Sequence, residues 1–369
     1  MRTLALLAAL AFALAESVVL WGGGQPPAAN RPAALAWPAG LPVYDHVVIV
    51  VEENKDYEQI IDSPLAPYIN TLRKEGANFT QMYGEEHNSQ GNYFWLFSGS
   101  NQSVGFQDVM PTRDNNPNYP FKAPNLGAAL IAKGLSFKGY AEDLPAIGST
   151  VKYDPEGANA RYARKHVPWI SFANVPNGTT VETSSNLRFA DFPTDPARFA
   201  ALPTVAFVIP NLDNDMHNVD PKDPKQCIRR GDAWLKKNLD AYYRWARTHN
   251  SLLIVTFDEN DNKREEGANY LGLTNPLVLP ADRYKRDLQN RIPTLFAGAH
   301  VKPGDYAEGK GVTHVNILRT LQAMYGLPRA GAQQPNAAGA GIRDDYLITD
   351  VFKGSHAKPQ RRQERQKNY

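Results

Sequence analysis

The sequence predicts an α/β fold: a three-layer α/β/α sandwich around a mostly parallel central sheet. Short apolar runs rich in β-branched residues recur along the chain without polar alternation, as in strands buried on both faces. Segments of helical length and pattern lie between them, which is the order that builds a parallel sheet. No internal repeat is visible in the 369 residues, so one large domain is expected.

The first strand is residues 46–52, HVVIVVE, a continuous β-branched run. Residues 66–76, APYINTLRKEG, follow as a helix, and a second helix is expected to open near Gly91. Residues 125–134 read as a helix, 137–142 (FKGYAE) as a strand and 204–210 (TVAFVIP) as another. A long helix at 231–249 leads into the strand at 252–259, LLIVTFDE. The strand at 292–298, IPTLFAG, and the helix at 314–326, HVNILRTLQAMYG, complete the pattern.

The flanks differ in composition. Met1 and Arg2 precede an apolar run ending in Ala13-Leu14-Ala15, so residues 1–15 read as a cleavable signal peptide. A retained anchor is the competing reading, interrupted by Glu16 and Ser17. Residues 16–43 are a Gly/Pro/Ala-rich linker, 44–352 the folded catalytic domain, and 353–369 a basic, disordered tail. No other run is long enough to span a bilayer once the leader is removed, so a secreted, periplasmic or cell-surface protein is expected. A net charge of +2 without a basic-aromatic stripe gives no reason to expect nucleic acid as a partner. Cys227 is the only cysteine, so no disulfide can form within the chain. Asn78, Asn101 and Asn177 each begin an N-x-[ST] sequon.

Open parallel sheets carry their chemistry at the carboxyl ends of the strands. Glu53 and Asn54 follow the first strand, Asn211, Asp213, Asp215 and His217 the third, and Asp258 and Glu259 the fourth. Glu53, Asp258 and Glu259 would repel one another unless a cation sat among them. An all-oxygen donor set favours Mg²⁺, Ca²⁺ or Mn²⁺ over Zn²⁺. Separately solvated, helix-capping carboxylates are the alternative. Ser89 either caps the helix that follows or is a nucleophile at that helix's positive end, with Asn92 donating to a phosphoryl oxygen. Gly91 would let the backbone approach a substrate closely. His217, directly after a buried strand, suits protonation of a leaving alcohol.

The ordered set VIVVEENKDY, HNSQGNYFWLFSGS, YAED, KHVPW, PNLDNDMHN, GDAWLKKNL, LLIVTFDEND and THVNILRTLQAMYGL resembles the bacterial and fungal phosphoesterase family. That family comprises secreted acid phosphatases and C-type phospholipases of the alkaline phosphatase-like superfamily. The resemblance covers residues 44–327. It implies that Glu53, Asn54, Asp258 and Glu259 hold a metal, and that Ser89 is both nucleophile and ligand. His166 and His217 would face the phosphate and the leaving group, with His87, Asn92 and His314 towards the substrate. Asn88 and Gly91 stand where the family has prolines, Asn218-Val219 where Asp-Cys is frequent, and Asn260 where a third acid is common.

The function so implied is that of a secreted, metal-dependent acid phosphatase working through a phosphoserine, on a small-molecule or lipid-headgroup phosphate ester. A phospholipase C or other phosphodiesterase would use the same constellation, and phosphoinositides are eligible monoesters. The Cys/Ser-x-Pro-x-Arg signature of a sulfatase is absent. A catalytically silent binding protein of the same fold is the reading from another class.

Overall fold

The computed structural model describes residues 41–104, 108–261, 290–306, 312–331 and 346–353. The expected leader, most of the linker and nearly all of the basic tail lie outside them. In chain order the strands are β1 (His46–Glu52), β2 (Ala77–Phe79), β3 (Met82–Tyr83), β4 (Phe137–Ala141), β5 (Tyr153–Asp154), β6 (Tyr162–Ala163), β7 (Asn186–Arg188) and β8 (Val205–Ile209). They continue with β9 (Ser251–Phe257), β10 (Thr294–Gly298), β11 (Gly304–Tyr306) and β12 (Val312–Thr313). The helices are α1 (Tyr57–Ile60), α2 (Pro67–Glu75), α3 (Ser89–Ser98), α4 (Leu126–Ala132), α5 (Gln226–Ala246) and α6 (His314–Tyr325).

Eight strands form the main sheet in the order β11-β2-β10-β9-β1-β8-β4-β7. β1 lies between β9 and β8, parallel to both. β4 continues that parallel set beyond β8, and β7 beyond β4. β10 alone runs against its neighbours in this sheet. α2 and α5 pack together, while α3, α4 and α6 form a second packed group. The result is the α/β/α arrangement that the alternation of elements implied.

β1, β8 and β9 are buried almost completely, and their β-branched composition suits a sheet covered on both faces. The register then aligns the strand ends. Glu52 pairs with Phe257 across β1 and β9. Backbone bonds extend the ladder past the strands: Asp258 N donates to Glu52 O (2.9 Å), and Glu53 N donates to Asp215 O (2.7 Å). Three strand-end turns are therefore fastened at one edge of the sheet.

The aromatic run of α3 holds that helix down. Phe97 packs on Phe137, Phe172 and Phe207 at ring distances of 5.3, 5.5 and 5.9 Å. Each such buried phenylalanine is worth about 1.5–3 kcal/mol. All ten residues of α3 are buried, so its position relative to the sheet is fixed along its whole length.

Two helix starts differ from expectation. α5 begins at Gln226, not at Gly231, because Gly231 is an interior contact rather than a boundary. A Cβ there would meet Met216 and the Asn214 carbonyl, so the missing side chain lets α5 press against the turn that carries His217. α3 begins at Ser89 with Asn88 at its cap position, so Ser89 is not the N-cap. The Asn78 sequon is buried, and its amide donates to Tyr57 Oη (2.7 Å) and Asp305 (2.9 Å). A glycan cannot reach it in the folded chain.

Candidate active site

Ser89 is the first residue of α3, and its side chain turns away from the helix towards the strand ends. Its Oγ donates to Glu53 Oε2 at 3.1 Å and lies 3.3 Å from Glu259 Oε1. One oxygen at a helix N-terminus thus meets carboxylates from two adjacent strands.

Glu53 is the centre of the cluster and has no exposed surface. Besides Ser89, it accepts from Tyr93 Oη (2.5 Å) and from the Asn54 amide (3.0 Å), and it lies 3.3 Å from His166 Nε2. Asn54 adopts φ 52°, a left-handed conformation asparagine tolerates, and its backbone N–H reaches Asp258 Oδ1 (3.1 Å). Met216 has φ 76° on the opposing turn, an uncommon conformation for its residue type. There Asp215 Oδ1 accepts from His217 N at 2.8 Å.

Burial and mutual repulsion raise the acids. Glu53 stands well above the ordinary carboxylate range through burial, then through Asp258 and Asp215. Asp215 is raised chiefly by burial, and Asp258 is pushed up to about 7 by burial and by Glu259. Oδ2 of Asp215 and Oδ2 of Asp258 are buried without a hydrogen bond. Crowded, desolvated carboxylates with unpaired oxygens are what a divalent cation would neutralise, so the donor set fits one.

Ligand atoms of Glu53, His166 and Asp215 lie within 4.8 Å of one another. This brings a nitrogen donor into a set that the sequence reading took as oxygen alone. Zn²⁺ therefore joins Mg²⁺, Ca²⁺ and Mn²⁺ as a chemically suitable ion. His166 is buried, stacked on Tyr93 at 4.9 Å, and held well below its ordinary pKa by burial, Lys165 and His217. The His217 ring lies 6.0 Å from it and is lowered to about 4, by burial first and Lys165 second.

Residues 62–328 match the model of the phosphoesterase family. The chain is also 41% identical over 330 residues to a phosphatidylinositol-3-phosphatase from Mycobacterium tuberculosis, covering 89% of this chain and 90% of that protein. The chain belongs to the phosphoesterase family. It is a phosphoric ester hydrolase. A phosphate-repressible acid phosphatase from Penicillium chrysogenum is 26% identical over 78% of this chain, which spans 60% of that protein's length. In structure, a protein of the alkaline phosphatase superfamily from Vibrio parahaemolyticus overlaps with a TM-score of 0.49 at 14% identity, over 79% of this chain and 69% of that one.

Within this phosphoesterase, the expected site residues divide. Glu53, Asn54, Ser89, Asp258, Glu259, His166 and His217 converge on one place. His87, Asn92 and His314 border it but are engaged by protein groups. His87 Nδ1 lies 2.6 Å from Glu259 Oε2 and its Nε2 lies 3.0 Å from Asn260 Oδ1. His314 Nδ1 lies 2.6 Å from Glu85 Oε2 and its Nε2 lies 2.8 Å from the Phe257 carbonyl. Burial works against the charge on both rings, but their carboxylate partners outweigh it and raise both above the ordinary histidine value. Asn92 accepts from the Glu85 and Glu86 N–H groups (3.0 Å each) and donates to Glu86 O (2.6 Å). These bonds shape the loop before Ser89.

Gly91 also has a role other than the expected one. A Cβ there would collide with the buried Glu86 carboxylate, which accepts from Trp95 Nε1 at 2.9 Å. The glycine makes room for Glu86 rather than for substrate. Three groups escaped the sequence reading as site residues: Asp215, Tyr93 and Lys165. Asp215 sits two positions before His217, so its place after β8 was a usable signal. Nothing local distinguishes Tyr93 from the core aromatics beside it. The partly buried Lys165 is tied to Asp108 (2.5 Å); desolvation opposes its charge, but Asp108 and Glu53 overcome this and raise it.

Proposed function

We propose that the chain is an exported, metal-dependent phosphomonoesterase with Ser89 as its nucleophile. The observation that carries this reading is the Ser89 hydroxyl at the start of α3, directed at Glu53 and Glu259. Glu53, Asp215, Asp258, Glu259 and His166 would hold the divalent cation, with Asn54 beside them. When bound, that cation supplies the positive charge that favours the serine alkoxide and offsets the charge of the ester.

The chain's own residues divide the remaining work. Glu53 and Glu259 are the acceptors towards which the Ser89 proton points. The first turn of α3 presents its positive end to an incoming phosphate. The Ser89 oxygen bonds to phosphorus as the P–O bond to the leaving alcohol breaks, and His217, in its protonated form, would supply that alcohol's proton. Water then cleaves the phosphoserine, regenerating Ser89 and releasing phosphate. Two in-line displacements give net retention at phosphorus.

A phosphorylated lipid headgroup is the favoured substrate, because the relative that matches over 90% of its length is named a phosphatidylinositol-3-phosphatase. The basic, apolar opening of the sequence supports export, with a mature chain starting near Glu16. Among the described residues, no helix is long and apolar enough to cross a membrane.

Ser89→Ala tests the central assignment. Turnover of an aryl phosphate or of phosphatidylinositol 3-phosphate is expected to fall by about a thousandfold or more, with an unchanged thermal melt. Retained turnover in a folded Ser89→Ala protein would remove Ser89 from the mechanism.

A further inference from the structure

A largely buried ammonium is tied to the first turn of the nucleophile's helix. Asp108 Oδ1 accepts from Gln90 N at 3.0 Å, and Oδ2 accepts from Lys165 Nζ at 2.5 Å. Gln90 directly follows Ser89, so one carboxylate couples Lys165 to the residue beside the nucleophile. The Lys165 side chain is only 10% exposed. An ammonium has three N–H donors, and Asp108 is its hydrogen-bond partner among the described residues.

The charge of Lys165 is felt across the site. It acts on Glu53 and Asp258 and on both the His166 and His217 rings. Lys55 is the other lysine whose charge reaches Asp215 and His217, but its Nζ donates to the Asn54 carbonyl at 2.6 Å. Lys165 therefore has donor capacity left over, beside the helix start where a phosphate would bind.

We propose that Lys165, fixed by Asp108, is the specificity-determining residue that favours phosphomonoesters over phosphodiesters. This rests on Ser89 phosphoryl transfer at the same site. A monoester brings two negative charges near neutral pH and a diester brings one. The carboxylates around Ser89 oppose the second charge, and a largely buried ammonium selectively offsets that opposition. A nonbridging oxygen that carries charge only in the monoester can take the N–H bonds that Asp108 leaves. In a diester that position is alkylated, and the pairing is lost. Asp108 is a positioning residue: it holds the ammonium at a fixed place relative to the α3 N-terminus.

The test compares para-nitrophenyl phosphate with bis(para-nitrophenyl) phosphate, which share a leaving group, on the metal-loaded full chain. Lys165→Ala should lower kcat/KM for the monoester by about a hundredfold and for the diester by less than about fivefold. Inhibition by inorganic phosphate should weaken in parallel with the monoester loss. Lys165→Arg should retain most of the preference, and Asp108→Asn should give a smaller shift in the same direction. Lys165→Met, which keeps most of the apolar stem, provides a second charge-free variant should the alanine protein fail to fold. Equal losses on both esters, or an unchanged ratio in the folded charge-free variants, overturn the proposal. Wild-type protein inactive on both esters would instead overturn the phosphoryl-transfer reading, and this inference with it.

Discussion

Two pairs of histidines border the candidate site, and they are held differently. His87 and His314 each place both ring nitrogens against protein acceptors, one of them a carboxylate at 2.6 Å. Their carboxylate partners carry them above the ordinary histidine value despite burial. His166 and His217 have weaker partners: 3.3 and 3.7 Å contacts with carboxylates for one, and Asn218 at 3.2 Å for the other. Burial carries that pair downwards. The difference teaches that proximity to a site does not give a residue its function. A ring with both nitrogens bonded to protein must give up a bond before it can take a ligand, whereas one kept neutral by desolvation can bind an ion.

The contrast can be broken most directly at His166. His166→Ala should reduce metal affinity by at least about a hundredfold, with a parallel fall in activity and little loss of thermal stability. Metal titration by calorimetry alongside a melting curve measures both. Unchanged metal affinity would place His166 among the structural histidines and erase the distinction.

At His314 an effect at least as large is expected, but on stability instead. His314→Ala leaves Glu85 buried without its partner, which should cost about 3–5 kcal/mol in a urea titration. The pH dependence sharpens this. Despite burial, the carboxylate of Glu85 holds the folded pKa of His314 above the ordinary histidine value, about 6.5, so its contribution is fully present below about pH 6.5. It is lost as pH rises through the folded value. The stability gap between wild type and His314→Ala should therefore narrow on the alkaline side, and a gap that widens there would contradict the assigned pair.

The smallest effect is expected at His217, which remains partly exposed. His217→Gln should lower turnover of an aryl phosphate by about a hundredfold with unaltered melting. The loss should shrink for substrates whose leaving group needs no proton, such as a dinitrophenyl phosphate. An equal loss for every leaving group would argue against a proton-donor role.

Much of the fold was legible in the chain. The runs around Val47–Val51 and Leu252–Phe257 could be read as buried strands because burial on both faces leaves a one-dimensional signature of β-branched residues. Short strands such as β2, β3 and β12 were missed, since two or three residues carry no period. Gly231 misled because a glycine that permits close packing looks locally like a helix boundary. The acids and Ser89 could be placed together because strand ends in such a sheet share one edge.

What the sequence determined by itself was therefore the sheet, its active edge and the inventory of acids, serine and histidines gathered there. Only the tertiary structure decided which histidine meets which partner. His314 reaches Glu85 across 229 positions, and His87 reaches Asn260 across 173. The backbone pattern that makes a strand is set by neighbours in sequence. The pairing of two buried polar groups depends on register and packing between elements far apart in it, and no local pattern records that distance.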